Sequence, residues 1–195
     1  MPGFTSSGGR VTALKRARRL VGRAIRAVPL LRRHWDVSTD YRLIPESQLG
    51  AAAAQGWLSP LTAWRQDRAY RALLADLHRG APRADFTIAA EAIDLGGLPQ
   101  ASLLEIGCGS GYDREILDTL ARTPIAYTGV DFSPAMVERA RRRYPGGDFH
   151  RMDGTSLTLG DGAFDIAFNG VSLMHIPDWR KAISESRRVA HAACI

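Results

Sequence analysis

The chain contains a short apolar segment that ends in three closely spaced glycines, since residues 103–111 read LLEIGCGSG. Glycine tolerates positive φ and lets another molecule approach the main chain without a Cβ in the way. An ordinary strand-to-helix turn usually needs one glycine rather than three in five positions. The segment therefore predicts a buried strand that turns sharply around a ligand.

Charged residues around this turn indicate which kind of ligand fits. In a dinucleotide-binding G-x-G-x-x-G pattern the third glycine would stand at Tyr112, and the helix N-terminus would face a pyrophosphate. Here Asp113 places a negative charge in the first helical turn, and Glu105 adds another at the strand end. Both would repel a pyrophosphate, whereas an ammonium or sulfonium group would be attracted. The charges favour a cationic cofactor.

A second predicted strand, residues 125–130 (IAYTGV), ends at Asp131. An acid at that position can accept hydrogen bonds from both hydroxyls of a ribose, which suits an adenosyl cofactor and equally a nicotinamide cofactor. Alternatively, Asp131 only precedes a helix in which Ser133 is the cap and Pro134 the first residue. The two roles are compatible.

Two further predicted strands also end in side chains that can bind ligands. Met152 and Asp153 follow the third strand, where a thioether and a carboxylate suit an adenine face and its amine. Residues 164–169 (FDIAFN) predict a fourth strand with Asn169 at its tip and His175 in the next loop. In a parallel sheet, ligands gather beyond the carboxyl ends of the strands, so all these residues are expected at one edge.

Together these motifs resemble the class I S-adenosylmethionine-dependent methyltransferases, particularly those that act on small molecules. The resemblance spans residues 101–190 and rests on residues 103–111, 129–136, 152–153 and 164–167. It implies S-adenosyl-L-methionine as cofactor. The binding residues it implies are Glu105, Gly107, Cys108, Gly109 and Gly111 along the methionine part, Asp131 at the ribose, Phe132, Met152 and Asp153 at the adenine, and Met136 and Asn169 nearby.

The predicted fold is α/β: a Rossmann-like parallel sheet in the order 3-2-1-4, with the C-terminal strands missing and an N-terminal helical extension. We divide the chain into a basic arm (1–34), a helical cap segment (35–100) and the incomplete cofactor-binding domain (101–195). An unpaired sheet edge beside the fourth strand is an aggregation hazard, so we expect a partner or helix to cover it.

The cap segment carries two helix signals. Ser59 and Pro60 mark the start of one helix, which is expected to stop at Gly80, and a second ends at residues 96–97. Aromatic residues of this segment are candidates for an acceptor wall, although aromatics at helical spacing are more often core residues; they are Trp57, Trp64 and Tyr70.

Charge is distributed unevenly along the 195 residues. Nine of the 26 lysine and arginine residues precede Asp36 and none of the 20 acids does, so the net charge of +6 comes from the N-terminal arm. Within that arm residues 10–33 have helical apolar spacing, which predicts a basic amphipathic helix able to lie on an anionic membrane or to pack on its own domain. The two cysteines suggest neither a disulfide framework nor a metal site. We expect a cytoplasmic protein, with peripheral membrane contact as an option.

The function predicted from these features is methyl transfer to an O, N or C nucleophile of a small-molecule acceptor by in-line displacement. His175 is the nearby side chain whose unperturbed pKa suits a general base, although a loop histidine more often makes local hydrogen bonds. The alternatives are a non-catalytic module, either a truncated cofactor binder or a membrane-associated adaptor, and an NAD(P)-dependent oxidoreductase. Tyr112 and Asp113 argue against the oxidoreductase.

Overall fold

Five parallel strands form the centre of the structure, a computed structural model that describes residues 56–195. The strands are β1 (Ala101–Ile106), β2 (Ile125–Asp131), β3 (Asp148–Arg151), β4 (Phe164–Phe168) and β5 (Ala190–Cys194). Their order is β3-β2-β1-β4-β5, and every neighbouring pair is parallel. The predicted order 3-2-1-4 is confirmed. The predicted basic arm, with its membrane-binding segment 10–33, and the first part of the cap segment lie outside the described residues.

The sequence predicted that the sheet ends at β4, but the structure adds a fifth strand beyond it. Strand β5 pairs with β4, although a register shift interrupts the pairing between Phe164 and Ile166. Its residues are mostly alanines and polar residues, without the β-branched or aromatic side chains that mark a strand, and it begins directly after a helix that ends at Val189. The edge of β4 that was expected to need a partner is therefore covered by the chain itself.

Helices pack on both faces of the sheet. They are α1 (Pro60–His78), α2 (Ala84–Leu95), α3 (Tyr112–Leu120), α4 (Pro134–Arg143) and α5 (Trp179–Val189), and single 3-10 turns span Gly56–Leu58 and Leu173–His175. Helices α2, α3 and α4 cover one face, where the buried side chains include Ile93, Leu103, Leu117, Val137, Ile166 and Phe168. Helix α5 covers the other, with Leu104, Ile106, Val130, Ala167 and Val189.

Helix α1 begins and ends at the signals seen in the sequence. The Ser59 hydroxyl accepts a hydrogen bond from the Leu61 amide at 3.3 Å, and Pro60 occupies the first helical position. The helix ends at His78, shortly before Gly80, whose φ of 77° favours glycine. None of the helices within residues 56–195 combines the length and the apolar character needed to cross a membrane.

Helix α1 is fixed to the sheet domain through Asp67. This buried side chain accepts hydrogen bonds from the Tyr112 hydroxyl, from Arg71 at 2.7 Å and, more weakly, from Arg143 at 3.4 Å. Burial opposes its ionisation, but the hydrogen bonds from Tyr112 and Arg71 outweigh that effect and lower the pKa of Asp67. Tyr70 stacks on Tyr112 with ring centroids 4.5 Å apart, so this aromatic is a packing residue.

Candidate cofactor-binding site

The loop between β1 and α3 consists of residues 107–111, and all three of its glycines have positive φ. The φ values are 81° at Gly107, 54° at Gly109 and 76° at Gly111. The Gly107 amide donates to the Val130 carbonyl at 2.8 Å, and the Gly111 amide donates to the Cys108 carbonyl at 2.9 Å. A side chain at any of the three glycines would strain the backbone, which explains why the sequence uses glycine three times.

Two of these glycines meet neighbours from other parts of the chain. A Cβ on Gly107 would overlap the side chain of Ser172, which comes from the loop after β4. A Cβ on Gly109 would lie 3.1 Å from Oε1 of Gln66 on α1. The loop is therefore covered by polar side chains from two other elements, and Ser172 approaches the main chain more closely than a residue with a Cβ at position 107 would allow.

The third glycine of the loop has a packing role. A Cβ on Gly111 would lie 2.7 Å from the ring of Phe149, a buried residue of β3. Cys108 is also buried, and its Sγ would lie 2.9 Å from a Cβ on Gly129 of β2. Burial raises the pKa of the Cys108 thiol well above its ordinary value. These contacts hold the loop against β2 and β3.

Asp131, at the end of β2, is hydrogen-bonded to the glycine loop. One carboxylate oxygen accepts from the Gly109 amide at 2.9 Å and the other from the Ser133 amide at 2.8 Å. Burial raises the pKa of Asp131, and the two amides oppose that shift. Ser133 is the N-cap residue of α4 and Pro134 the first helical residue, as predicted, but the Ser133 hydroxyl donates to the Trp57 carbonyl at 2.7 Å rather than accepting from a helix amide. Asp131 therefore fixes the position of the loop and of the start of α4.

Glu105 and Asp113 form one buried acidic pair rather than two separate charges. Burial and the neighbouring Asp113 raise the pKa of Glu105 well above its ordinary value, and burial also raises the pKa of Asp113. The Tyr127 hydroxyl donates to Glu105, and the raised pKa of Glu105 favours its protonated form beside Asp113. The charge of Arg83 lowers the pKa of Asp113 but does not outweigh the effect of burial. A cation placed beside this pair would take the place of the proton.

Two of the predicted cofactor-binding residues follow Asp131. Met136 lies in α4 and is 1% exposed, and its sulfur accepts a hydrogen bond from the Ser110 hydroxyl at 3.6 Å. Phe132 is half-buried, and its carbonyl accepts from Arg151. Their predicted contact with a cofactor stays a prediction.

The predicted adenine contacts Met152 and Asp153 follow β3. Met152 is half-buried and packs beside the core on the α5 face, while its amide donates to the Asp131 carbonyl at 3.1 Å. The Asp153 carboxylate accepts from the Thr155 amide and hydroxyl, both at 2.8 Å. Asp153 thus shapes its own turn, and the structure places both residues at the edge of the sheet where Asp131 ends β2.

The loop after β4 begins at Asn169. Its amide group donates to the Ser186 hydroxyl at 3.1 Å, and its main-chain amide donates to the Ile195 carbonyl at 2.8 Å. Its Oδ1 is buried and has no hydrogen-bond partner within the described part of the chain. Two residues later, Val171 has a φ of 55°, which a β-branched residue rarely adopts. Ser172 anchors the loop, because its hydroxyl donates to the Ile106 carbonyl at 2.6 Å.

His175 ends a 3-10 turn in the same loop, beneath the segment that precedes α1. Its ring centroid lies 4.5 Å from that of Trp57. Burial lowers the pKa of His175, so the imidazole is neutral at pH 7 and able to accept a proton. Trp57 is therefore at the predicted site, whereas Trp64 is 41% exposed and lies beneath Arg68.

Two polar residues of α1 were not predicted as site residues. Gln66 contacts Gly109, and Arg65 precedes it on the helix; Arg65 Nε, Arg65 Nη2 and Gln66 Oε1 are buried without hydrogen-bond partners among residues 56–195. Both stand in a run of polar helical residues, RQDR at 65–68, and the sequence does not show which of these residues meets the glycine loop.

Comparison with known proteins agrees with this geometry. Residues 104–193 match the family model of a methyltransferase domain. The chain is 35% identical over 99 residues to a phthiotriol/phenolphthiotriol dimycocerosates methyltransferase of Mycobacterium tuberculosis, covering 50% of this chain and 35% of that protein. It is 34% identical over 87 residues to a protein of Mycolicibacterium smegmatis assigned as an S-adenosylmethionine-dependent methyltransferase, covering 45% of this chain and 33% of that one.

A solved structure shares the fold. It comes from a Methanococcus maripaludis protein assigned as an S-adenosylmethionine-dependent methyltransferase, with a TM-score of 0.57 and 19% identity over 68% of this chain and 59% of that one. The chain spans about a third of the length of its two mycobacterial relatives. The matched domain, its relatives and the strand order together identify residues 104–193 as a methyltransferase domain of the class I S-adenosylmethionine-dependent type.

Proposed function

We propose that the protein transfers a methyl group from S-adenosyl-L-methionine to an O, N or C nucleophile of a small-molecule acceptor. The cofactor supplies a methyl group already activated on a sulfonium centre. The protein's own contribution is then to bind and orient the reactants, to exclude water and, where the acceptor requires it, to remove one proton.

The single observation that carries this proposal is the hydrogen-bonded pair formed by Asp131 and the Gly109 amide. Each oxygen of the Asp131 carboxylate accepts one main-chain hydrogen bond, at 2.9 and 2.8 Å, and a carboxylate has about four acceptor positions. The remaining positions suit the two hydroxyls of a ribose. The same carboxylate thus shapes the glycine loop and keeps acceptor capacity for an adenosyl group.

The acidic pair supports a cofactor with a positive charge. Glu105 is 1% exposed, and burial together with the neighbouring Asp113 raises its pKa. An ammonium group beside the pair would let both carboxyls ionise, whereas a phosphate there would meet two acids. This favours S-adenosylmethionine over a nicotinamide dinucleotide.

We further propose that the loop from Asn169 to Asp178 faces the acceptor and that the acceptor has apolar surface. Val171 and Met174 in this loop are 51% and 56% exposed, and Leu58 beside Trp57 is 41% exposed. The mycobacterial relative is named for phthiotriol and phenolphthiotriol dimycocerosates. A cytoplasmic location and contact with an anionic membrane through residues 10–33 stay proposals, as does a partner along β5, which now forms that edge of the sheet.

Calorimetric titration with S-adenosylhomocysteine tests the cofactor assignment. We expect the wild type to bind it and the Asp131→Ala variant to bind about 10- to 100-fold more weakly, because a charged hydrogen-bond acceptor is lost. Asp148→Ala is the matched control, since this exposed aspartate of β3 bonds Thr128 and His150 instead. A wild type that binds NAD(P) and not S-adenosylhomocysteine would contradict the proposal.

Transfer of labelled methyl groups tests the reaction and the role of His175. Incubation with labelled S-adenosylmethionine and a panel of apolar hydroxy and amino compounds is expected to label at least one of them. If His175 is the general base, His175→Gln lowers kcat by about 100-fold or more while S-adenosylhomocysteine affinity is kept. Unchanged turnover in that variant would remove His175 from the mechanism.

A further inference from the structure

Helix α1 brings Gln66 to the glycine loop. The side-chain oxygen of Gln66 lies 3.1 Å, and its nitrogen 3.6 Å, from the position of a Cβ on Gly109. Arg65 directly precedes Gln66 on the helix. The loop that is expected to follow the methionine part of the cofactor is therefore covered by this part of α1.

These two residues account for three of the four buried side-chain polar atoms that lack a hydrogen-bond partner in the part of the chain described. They are Nε and Nη2 of Arg65 and Oε1 of Gln66. A guanidinium keeps its charge at all ordinary pH values, and a buried polar group without a partner is unfavourable. Such atoms at a binding site indicate that a ligand completes them.

The two unpaired nitrogens of Arg65 are the ones with which other arginines of this protein bind carboxylates. Arg83 uses Nε and Nη2 toward the two oxygens of Asp85, and Arg188 uses the same pair toward Glu185 at 2.8 Å each. These two N–H groups point in parallel and match the two oxygens of one carboxylate. The unpaired atoms of Arg65 thus indicate an absent carboxylate.

We propose that Arg65 binds the α-carboxylate of S-adenosylmethionine through Nε and Nη2, while Gln66 Oε1 accepts a hydrogen bond from its α-ammonium group. This inference rests on the proposed function. In this arrangement Arg65 on α1 binds the carboxylate of the cofactor's methionine part. The acidic pair of Glu105 and Asp113 lies on the side of its ammonium group.

Two ligands that differ only at the amino-acid end test the assignment. S-adenosylhomocysteine carries the carboxylate and ammonium, whereas 5′-methylthioadenosine keeps the adenosine and the sulfur and lacks both. We expect Arg65→Met to weaken S-adenosylhomocysteine binding about 10- to 100-fold in calorimetric titration and to leave 5′-methylthioadenosine binding unchanged. Arg68→Met, on the exposed side of the same helix above Trp64, is the matched control and should change neither affinity.

The stability of the ligand-free protein gives a second readout. Because Arg65→Met removes a buried, unpaired charge, we expect its Tm without ligand to rise by about 2–4 °C, while Arg68→Met leaves Tm unchanged. If Arg65→Met does not fold, the titrations are made with Arg65→Lys, which keeps the charge, loses the paired N–H groups and should still lower only S-adenosylhomocysteine affinity.

The outcomes separate this inference from the proposed function. Equal losses for both ligands in Arg65→Met, or no loss for S-adenosylhomocysteine, would overturn the role of Arg65 while the cofactor assignment stands. A wild type that binds 5′-methylthioadenosine as tightly as S-adenosylhomocysteine would also overturn the role of Arg65 and leave the cofactor assignment in place. A wild type that binds neither ligand would overturn the proposed function together with the inference.

Discussion

The loop after β1 and the loop after β4 lie at the same sheet edge but are built in different ways. The first is fixed by main-chain hydrogen bonds, by Asp131 and by three glycines with positive φ. The second depends on a few side chains: Ser172 anchors it, Asn169 keeps an unpaired oxygen, and Val171 is strained.

This difference matches the demands of the two ligands in the proposed reaction. A cofactor of one structure can be held by main-chain geometry that tolerates almost no substitution. An acceptor is selected by side chains, which can change without altering the fold. The loop after β1 therefore indicates the family, and in the proposed reaction the loop after β4 is the one that selects the acceptor.

The largest effect is expected where the two loops meet, at Gly107. Gly107→Ala would strain a residue at φ 81° and force its Cβ into Ser172. We expect the free energy of unfolding to fall by about 2–5 kcal/mol, the combined effect of left-handed strain and overpacking. Urea unfolding followed by circular dichroism measures this loss.

Gly146→Ala is the matched control for that substitution. Gly146 has nearly the same φ, 80°, but no heavy atom lies within 4 Å of its Cβ position. Its variant should show the strain alone, a loss of about 1–2 kcal/mol. Equal losses at Gly107 and Gly146 would show that Ser172 does not hold the two loops together.

The acidic pair gives the next largest effect, and it depends on pH. Because the pKa of Glu105 is raised in the folded state, its contribution to stability is complete below about pH 4.5 and is lost as pH rises through the folded pKa. Relative to Glu105→Gln, the wild type should lose up to about 1.4 kcal/mol of unfolding free energy per pH unit in that range. Urea unfolding between pH 4.5 and pH 8 measures the difference.

Glu138→Gln provides the comparison, since Glu138 is exposed and pairs with Arg142 on α4. Its unfolding free energy should follow that of the wild type across the same range. If the difference between wild type and Glu105→Gln does not vary with pH, Glu105 does not keep its proton in the folded protein, and the argument for a cationic ligand is weakened.

The sequence was sufficient to predict the parts of the site that depend on the main chain. The strand-turn-helix at Gly107, the acid that ends β2 and the strand order up to β4 follow from local patterns of glycines, apolar residues and polar strand ends. These patterns are readable because each reflects a constraint within a few residues: positive φ at Gly109, or an apolar strand followed by Asp131.

Contacts between distant segments could not be predicted in the same way. Gln66 meets Gly109 across 43 positions of sequence, and the acidic pair forms only because α3 turns Asp113 back toward Glu105. Strand β5 was missed because its small residues carry no strand signal, and pairing with β4 decides its conformation. In each case tertiary packing supplies information that no local pattern contains.

A smaller effect is expected from relieving the strain in the loop after β4. Asparagine adopts left-handed φ much more readily than valine, so Val171→Asn should raise the free energy of unfolding by about 1 kcal/mol. Met174→Asn is the control, because Met174 is exposed to a similar extent and its φ is not positive. That variant should stay within about 0.5 kcal/mol of the wild type. No gain in Val171→Asn would mean that the loop tolerates valine there without strain.

The smallest effect concerns the ionisation of His175, which distinguishes a covered loop from an open one. Its imidazole should titrate below pH 6.5 in NMR spectra, because burial beside Trp57 disfavours the charged form. The signal absent from His175→Gln identifies it among the five histidines.

Removing the tryptophan that covers His175 should reverse this shift. Trp57→Ala is expected to raise the pKa of His175 toward 6.5, whereas Trp64→Ala, which removes an exposed ring elsewhere on the segment, should leave it in place. Because the pKa of His175 is lower in the folded protein, the unfolded chain binds a proton at this histidine at a higher pH than the folded protein does. The free energy of unfolding of the wild type should therefore fall as pH decreases through 6.5. If the imidazole of His175 titrates at or above pH 6.5 in the wild type, Trp57 leaves this loop open to water. In that case the acceptor itself would have to exclude water from the proposed reaction.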